Sequence, residues 1–147
     1  MLAFKGASYA KPLAELHALC FAKPWTQENF LQILSLPTTI GYGNDKAFIL
    51  CSDLTQDIEI LTLAVLPSER RKGIATLLLK EIQNLVIKQN KNNIFLEVNA
   101  TNIPAQQLYL KCGFIQTGKR KNYYHENGKT FDALCFTWKN PRHTVGD

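Results

Sequence analysis

The feature that most constrains the fold is a short basic loop between a predicted strand and a predicted helix. The segment Ile58–Leu66 is extended and apolar, Pro67 ends it, and Arg70–Ala75 forms the loop. Apolar residues then recur at helical spacing: Ile74, Leu77, Leu78, Ile82, Leu85 and Val86. The first N–H groups of a helix have no intrahelical partner and carry partial positive charge. The pattern predicts a phosphate or pyrophosphate loop, and a solvated charged helix start is the alternative.

The composition indicates one domain over residues 1–147. The hydrophobic fraction of 46% and the charged fraction of 20% are ordinary for a globular protein. No linker, repeat or low-complexity tract divides the chain, and no apolar run approaches the ~20 residues of a membrane span. Because the N-terminus also lacks a signal-peptide pattern, we expect a cytoplasmic protein.

The four cysteines point away from metal and disulfide chemistry. They are scattered among apolar neighbours without a CxxC pair: Cys20, Cys51, Cys112 and Cys135. We therefore expect small buried side chains in a reducing compartment and no metal site. The three histidines are equally dispersed, and nothing groups them with a nucleophile and an acid.

The net charge of +5 suggests an anionic partner without identifying it. The basic residues gather at Arg70–Lys72 and at Lys119–Lys121, with Arg142 in the tail. Two local clusters suit a small anionic ligand plus an acidic docking surface better than a continuous nucleic-acid track. We therefore expect no direct nucleic-acid partner, although charge alone leaves that alternative open.

Periodicity and turn residues predict a mixed α/β or α+β sheet with helices packed on its faces. A first helix is predicted at 11–22, with Leu13, Leu16, Leu19 and Cys20 on one apolar face. Further helices are predicted in the segment that Thr26 caps, at about 73–91 and at about 104–112. Strands are predicted at 46–52, 58–66, 94–99, 114–124 and 130–138. A turn at Asn127–Gly128 joins the last two strands into a C-terminal hairpin.

Glu97 is a candidate general base. Alternation along Ile94–Asn99 places Glu97 on the opposite face from Ile94 and Val98, beside an aromatic ring. Partial desolvation in a central strand would make this carboxylate a better base near neutral pH. A solvent-facing Glu on an ordinary strand is the alternative.

Tyr109 is a candidate proton donor. It shares an i, i+3, i+4, i+7 stripe with Ala105, Leu108 and Cys112, so it belongs to the buried helix face. The alternatives are a core aromatic residue and a phenol presented for proton transfer.

Two motifs give the chain a family resemblance. Strand 61–65 with Arg70-x-x-Gly73-x-Ala75 resembles the acetyl-CoA pyrophosphate loop of the GNAT superfamily of N-acetyltransferases. The run from Asn102 to Phe114 resembles that superfamily's next helix and strand. Within it, the chain is most similar to the RimI type, by Leu96-Glu97-Val98, Asn122-Tyr123-Tyr124 and Pro24-Trp25. Members of this type acetylate the N-terminal alanine of a small-subunit ribosomal protein, the eighteenth in the usual count.

The resemblance implies a GNAT fold, a twisted mixed sheet with a V-shaped split between strands 58–66 and 94–99. Acetyl-CoA would be the acetyl donor, without a metal. Its pyrophosphate would bind at Arg70, Arg71, Lys72, Gly73, Ile74, Ala75 and Thr76. Its pantetheine arm would pair with Leu63 and Val65, the Val65 N–H polarising the thioester carbonyl.

The resemblance also assigns roles nearer the chemistry. Glu97 would be the general base, and Tyr109 the general acid at the leaving thiolate. Asn102 and Tyr109 would contact the donor. Trp25, Asn99 and Tyr123 would frame the acceptor. The resemblance implies direct transfer in a ternary complex, and a monomer is the default expectation.

Two departures from the family pattern bear on the acceptor pocket and leave alternatives open. Asn99 stands where Arg is frequent, and Thr62 stands where Asn is common. Besides an α-amine, the acceptor could therefore be a lysine side chain or a small amine. An alternative of another class is a non-catalytic acyl-CoA-binding module.

Overall fold

Seven strands and four α-helices form the computed structural model, which describes residues 1–143; the last four positions of the predicted domain lie outside the described residues. The strands are β1 (Leu2–Phe4), β2 (Thr39–Gly43), β3 (Ala47–Asp53), β4 (Asp57–Val65), β5 (Asn93–Asn99), β6 (Ile115–Glu126) and β7 (Lys129–Lys139). The helices are α1 (Ala10–Cys20), α2 (Gln27–Leu34), α3 (Ile74–Lys88) and α4 (Ile103–Lys111).

The strands follow the order β1-β2-β3-β4-β5-β7-β6 in one sheet. Strand β5 pairs parallel with β4, through Asp57–Glu59 against Asn93–Phe95, and antiparallel with β7 along its full length. The sheet is therefore mixed, and β6 and β7 form the C-terminal hairpin. The predicted mixed α/β architecture is confirmed.

The chain divides into two compact units. The first contains Met1–Leu54 and Ile60–Ile82. Its core includes apolar residues of α1, α2, β3 and β4: Ala10, Leu13, Leu16, Phe30, Leu34, Phe48, Leu50 and Ala64. Residues 47–51 of β3 are fully buried on both alternating faces, which is typical of a strand covered on both sides.

The helix faces in this unit differ from prediction at two positions. Leu19 was predicted on the apolar face of α1, but it is 65% exposed, and His17 is buried instead. Leu77 of α3 is also exposed, whereas Leu78, Leu79 and Ile82 are buried. In each helix, one residue of the predicted apolar face is therefore exposed, and a residue one or two positions away is buried in its place.

The second unit contains Thr55–Glu59 and Gln83–Asp147, of which the structure describes the part to residue 143. In β5, Ile94, Leu96 and Val98 are buried and the alternate residues are half-buried, as predicted. Asn127 and Gly128 both have positive φ, of 50° and 74°, which is the backbone that the predicted two-residue hairpin turn requires.

Two strands were not predicted, β1 and β2. Strand β2 carries Gly41 and Gly43, which weaken a strand signal in sequence. Here Gly41 permits a close approach, because a Cβ at this position would clash with the Phe4 ring of the paired strand. The glycine that weakens the strand signal in sequence thus makes room for the Phe4 side chain of the paired strand.

The described residues contain no helix long and apolar enough to cross a membrane. Within positions 1–143, no cluster of three or more His, Cys, Asp or Glu side chains could hold a metal ion. All four cysteines are free, but only Cys51 is fully buried, and the other three are partly accessible. The expectation of four buried thiols was therefore wrong for Cys20, Cys112 and Cys135.

Candidate active site

The predicted anion loop of the first unit has an unusual backbone. Arg71 and Gly73 both lie in the left-handed region, with φ of 64° and 78°. Helix α3 begins directly afterwards at Ile74, and the Gly73 carbonyl accepts the Leu77 N–H at 3.0 Å. A Cβ built on Gly73 meets no atom within 4 Å, so the loop is open at this point. A non-glycine residue with positive φ is costly and is often found at ligand sites.

The basic side chains of this loop have different partners. Arg70 donates from Nε to the Val65 carbonyl at 3.1 Å, which ties the loop to the end of β4. Lys72 contacts the Glu69 carboxylate at 2.7 Å, and this hydrogen bond lowers the pKa of Glu69. We infer that Arg70 and Lys72 shape the loop, while first-turn N–H groups and Arg71 remain the strongest candidates for an anion.

The end of β4 is held by two side chains. The Val65 carbonyl accepts both the Arg70 bond and a bond from the Cys20 thiol at 3.3 Å. Val65 is buried and Leu63 is half-buried. Of the two residues that were predicted to pair with the donor, Val65 is therefore held through its carbonyl group.

Glu97 lies in the second unit and has one paired and one unpaired oxygen. Its Oε1 is 3.1 Å from Nη2 of Arg120 on β6. Its Oε2 is buried and has no hydrogen-bond partner within the described structure. A buried polar atom without a partner costs free energy and calls for an explanation. An oxygen that takes up a proton during a reaction is such an explanation.

Arg120 was predicted only as part of a basic cluster, and its contact with Glu97 was missed. Its guanidinium also lies 5.2 Å from the ring centre of Tyr123, within the range of a cation–π interaction. The register of β6 against β7 shifts between Arg120 and Tyr124, and Asn122 has a φ of 54°. This bulge brings the Arg120 and Tyr123 side chains beside each other.

Tyr109 is buried in the same unit, with 8% of its surface exposed. Its ring lies 5.8 Å from that of Phe114 and 6.1 Å from that of Phe136. Burial raises the pKa of Tyr109 to about 12, so the phenol is protonated at neutral pH. The predicted burial is confirmed, and a protonated phenol is the form that can donate a hydrogen bond.

Two asparagines that were predicted as ligand contacts also have local structural bonds. Asn102 caps α4, its Oδ1 accepting the Ala105 N–H at 3.2 Å. The Oδ1 of Asn99 accepts from both the N–H and the hydroxyl of Thr101. These bonds occupy the carbonyl oxygens only, so each amide NH₂ remains a potential donor to a ligand.

Sequence reasoning set His17 aside, yet each of its two ring nitrogens has a hydrogen-bond partner. The Trp25 N–H donates to Nδ1 of His17 at 3.0 Å, and Nε2 lies 3.0 Å from the Thr62 hydroxyl. The spacing Leu13, Leu16, His17, Cys20 would have placed His17 on the buried face. Trp25 itself is half-buried beside this ring.

Burial of His17 predicts acid sensitivity. Desolvation lowers the pKa of His17 from 6.5 to about 4, so the unfolded chain binds a proton more readily than the folded one. The contribution of neutral His17 is complete above pH 6.5 and is lost as pH falls towards 4. We expect His17→Gln to remove about 3 kcal/mol of pH dependence across this window.

Urea unfolding at several pH values measures this dependence in both proteins. The wild-type free energy of unfolding should fall more steeply with acid than that of His17→Gln. Parallel curves would mean that the His17 ring is not held neutral in the folded protein.

The predicted site residues thus divide between the two units. Trp25, Leu63, Val65 and the residues from Arg70 to Thr76 belong to the first unit. Glu97, Asn99, Asn102, Tyr109 and Tyr123 belong to the second. The first unit supplies an open anion loop and a fixed strand end, and the second supplies a carboxylate and a phenol.

Comparison with known proteins identifies the family of this chain. The acetyltransferase (GNAT) family model matches residues 10–114. A Haemophilus ducreyi protein named [ribosomal protein bS18]-alanine N-acetyltransferase is 32% identical over 117 residues, covering 76% of this chain and 80% of that protein.

Solved structures show the same fold. The Escherichia coli ribosomal-protein-S18-alanine N-acetyltransferase superposes with a TM-score of 0.84 at 22% identity, covering 94% of this chain and 92% of that one. Arabidopsis thaliana NAA60 in complex with acetyl-CoA gives a TM-score of 0.78 at 21% identity, covering 94% and 97%. The family match extends over most of the chain, and the strand–loop–helix and Glu97 both lie inside it. The chain belongs to the acetyltransferase (GNAT) family.

Proposed function

We propose that this chain is a cytoplasmic, acetyl-CoA-dependent N-acetyltransferase, a single domain over residues 1–147. Its acceptor is the α-amino group of a protein N-terminus, alanine in a small-subunit ribosomal protein. The name of the Haemophilus ducreyi relative supports this acceptor, and the family supports the acetyl donor. The observation that carries the proposal is Glu97, a half-buried carboxylate with one oxygen paired and the other free to accept a proton.

The residues of the loop fit an acetyl-CoA pyrophosphate. The open space over Gly73, the positive φ of Arg71 and the start of α3 together form a place where backbone N–H groups can meet an anion. When bound, acetyl-CoA supplies an activated thioester carbonyl. Leu63 and Val65 bind the donor arm along β4, and the Val65 N–H stabilises negative charge on the carbonyl oxygen. Asn102 offers its amide NH₂ to the donor.

Glu97 and Tyr109 handle the proton and the leaving group. Glu97 Oε2 removes a proton from the acceptor ammonium, so that the neutral nitrogen can attack the carbonyl carbon. As the new C–N bond forms, the C–S bond breaks, the electron pair leaves with sulfur, and the second proton lost by the attacking nitrogen ends on that sulfur to give the free thiol of CoA. The Tyr109 phenol donates a hydrogen bond to that sulfur. Trp25, Asn99 and Tyr123 frame the acceptor.

The energetics of deprotonation favour an α-amine over a lysine side chain. An α-amino group has a pKa near 7.7–8.0, and a lysine amine has a pKa near 10.4. Deprotonating lysine at neutral pH therefore costs roughly 3 kcal/mol more. A single glutamate therefore removes the proton of an α-ammonium group at a lower free-energy cost than that of a lysine side chain.

A single incubation tests this proposal. A peptide with a free N-terminal alanine and one internal lysine is incubated with acetyl-CoA, and tandem mass spectrometry locates the acetyl group. We expect acetyl on the α-amine. The matched control is the same peptide with a blocked N-terminus, which should remain unmodified.

The other outcomes separate the alternatives. Acetyl on lysine would retain the acetyl-transfer chemistry and overturn the proposed acceptor. Calorimetric binding of acetyl-CoA without transfer to this peptide, to other amines or to the ribosomal protein would instead indicate a binding module. Steeply salt-dependent binding to RNA would revive a nucleic-acid role.

A further inference from the structure

His17 lies in an aromatic enclosure within the first unit. Only 2% of its surface is exposed. Its ring stacks on Phe21 at 4.2 Å, lies 5.3 Å from the Trp25 ring and meets the Phe30 ring edge-on at 5.4 Å. Burying a polar ring is unfavourable unless both nitrogens find partners. Both nitrogens of His17 have one.

The two hydrogen bonds of His17 define its tautomer. The Trp25 backbone N–H can only donate, so Nδ1 must carry a lone pair. The hydrogen of the neutral ring is then on Nε2 and is donated to the Thr62 hydroxyl oxygen. Because that oxygen accepts, Thr62 keeps its own hydroxyl hydrogen for another partner.

These bonds join the loop between α1 and α2 to strand β4. Trp25 lies in that loop, and Thr62 immediately precedes Leu63 in the strand. One turn further along α1, Cys20 bonds the Val65 carbonyl. Helix α1 therefore hydrogen-bonds to β4 through His17 and Cys20, and of these two side chains His17 also bonds the loop.

The two hydrogen bonds of His17, here called the His17 clamp, join a loop and a strand whose residues are proposed to bind the two substrates. Trp25 is proposed to frame the acceptor, and Leu63 and Val65 are proposed to bind the donor. Trp25 follows Pro24 in this loop and precedes the capping box of Thr26 and Asn29, so the position of the loop is set at its far end by α2. At the near end its position is set by the bond from Trp25 to His17.

We propose that His17 is a positioning residue for acceptor recognition, which holds Trp25 and Thr62 through its two ring nitrogens and so fixes the acceptor loop on β4. The inference rests on the proposed acetyl transfer, because it assigns His17 to the acceptor side of that reaction. His17 touches no reacting atom in this scheme. Its loss changes where the acceptor binds and leaves the donor loop at Arg70–Thr76 intact.

Three substitutions of His17 distinguish the contribution of its bond to Trp25 from that of its bond to Thr62. An Asn side chain can accept at the position of Nδ1 but does not reach Thr62, whereas Gln reaches Thr62 but does not accept from Trp25. Leu removes both bonds and keeps an apolar side chain. We expect His17→Leu and His17→Gln to raise the acceptor KM about fivefold to tenfold, with the acetyl-CoA KM unchanged. His17→Asn should raise the acceptor KM less than His17→Gln does, because it keeps the bond to Trp25, the residue that is proposed to frame the acceptor.

Leu13→Ala is the matched control for a damaged core, since Leu13 is buried one turn earlier on the same helix. It should lower the melting temperature without changing the acceptor KM. Equal acceptor KM values for Asn and Gln variants, or a proportional loss in all kinetic constants, would overturn the positioning role. If His17→Leu fails to fold, the acceptor KM values of His17→Asn and His17→Gln still test the positioning role.

A measurement without substrates keeps this inference separate from the proposed function. Long-range proton–nitrogen NMR of the labelled wild-type protein should show His17 protonated at Nε2 and unprotonated at Nδ1. The opposite tautomer would overturn the clamp even if acetyl transfer occurs. If the protein shows the expected tautomer but acetylates no peptide, the His17 clamp stands and the acetyl-transfer proposal is wrong.

Discussion

Replacing Glu97 with Gln lowers kcat for N-terminal acetylation about 100-fold to 1,000-fold at neutral pH, because general-base catalysis contributes effects of this size. The amide preserves the shape of the side chain, and its oxygen can still accept from Arg120. It cannot accept a proton from the acceptor ammonium. Steady-state kinetics with an alanine-terminated peptide measure the change, and both KM values should remain close to those of the wild type.

The pH dependence of this variant provides a second readout. As pH rises through the α-amino range of 7.7–8.0, more acceptor is already neutral, so part of the lost rate should return. Glu59→Gln is the matched control, since it makes the same change on a half-buried strand residue outside the proposed site. Wild-type kinetics for Glu97→Gln would remove Glu97 from the base role.

The elements with strong periodicity were predictable, and the contacts that define the chemistry were not. Helix α3 and strand β5 have unambiguous apolar patterns, so Glu97 could be placed on the correct strand face from sequence. The partner of Glu97 depends on register. Gly118 and Glu97 both align with Cys135 of β7, and Arg120 aligns with Ala133.

Two register shifts in β6 decide which of its side chains meets Glu97. One lies between Gln116 and Gly118, and the other lies between Arg120 and Tyr124. The first shift inserts one residue, which reverses the face of the side chains beyond it, and the second inserts two, which keeps the face but changes the residues that lie opposite. Alternation in sequence cannot supply this information, which explains why Arg120 was seen only as a charge.

His17 illustrates a different limit. Helical spacing places it on the apolar face, but a polar ring there can be recognised as a clamp only when its partners are known. Thr62 is distant in sequence, and Trp25 bonds through its backbone, which has no residue-specific signal. Helical periodicity thus predicts that His17 is buried, whereas its hydrogen-bond partners can be identified only from the tertiary structure.

Replacing Tyr109 with Phe lowers kcat about 100-fold while donor affinity stays close to normal, because losing one preformed donor to a developing charge has effects of this size. The Tyr109 ring packs between Phe114 and Phe136, and Phe keeps these contacts. We therefore expect stability to change by only about 1 kcal/mol. Kinetics, acetyl-CoA calorimetry and thermal unfolding of the same preparation test all three points.

The raised pKa of Tyr109 refines its role. A phenol with a pKa of about 12 is a much weaker acid than a thiol, whose pKa is near 8.5. Complete proton transfer from Tyr109 to the departing thiolate is therefore uphill by roughly 5 kcal/mol. We therefore propose that Tyr109 donates a hydrogen bond that stabilises the thiolate. The pH dependence of kcat should then show no ionisation of Tyr109 near neutral pH.

Tyr42→Phe is the control for this prediction. Tyr42 lies on β2 in the first unit, and burial also raises the pKa of its phenol. Removing that hydroxyl should leave kcat unchanged, since Tyr42 has no place in the proposed site. If Tyr109→Phe lost stability while its kcat per folded molecule matched the wild type, Tyr109 would be a core aromatic residue. A selective fall in kcat, in a protein as stable as the wild type, is the result that a hydrogen-bond donor to the leaving sulfur requires.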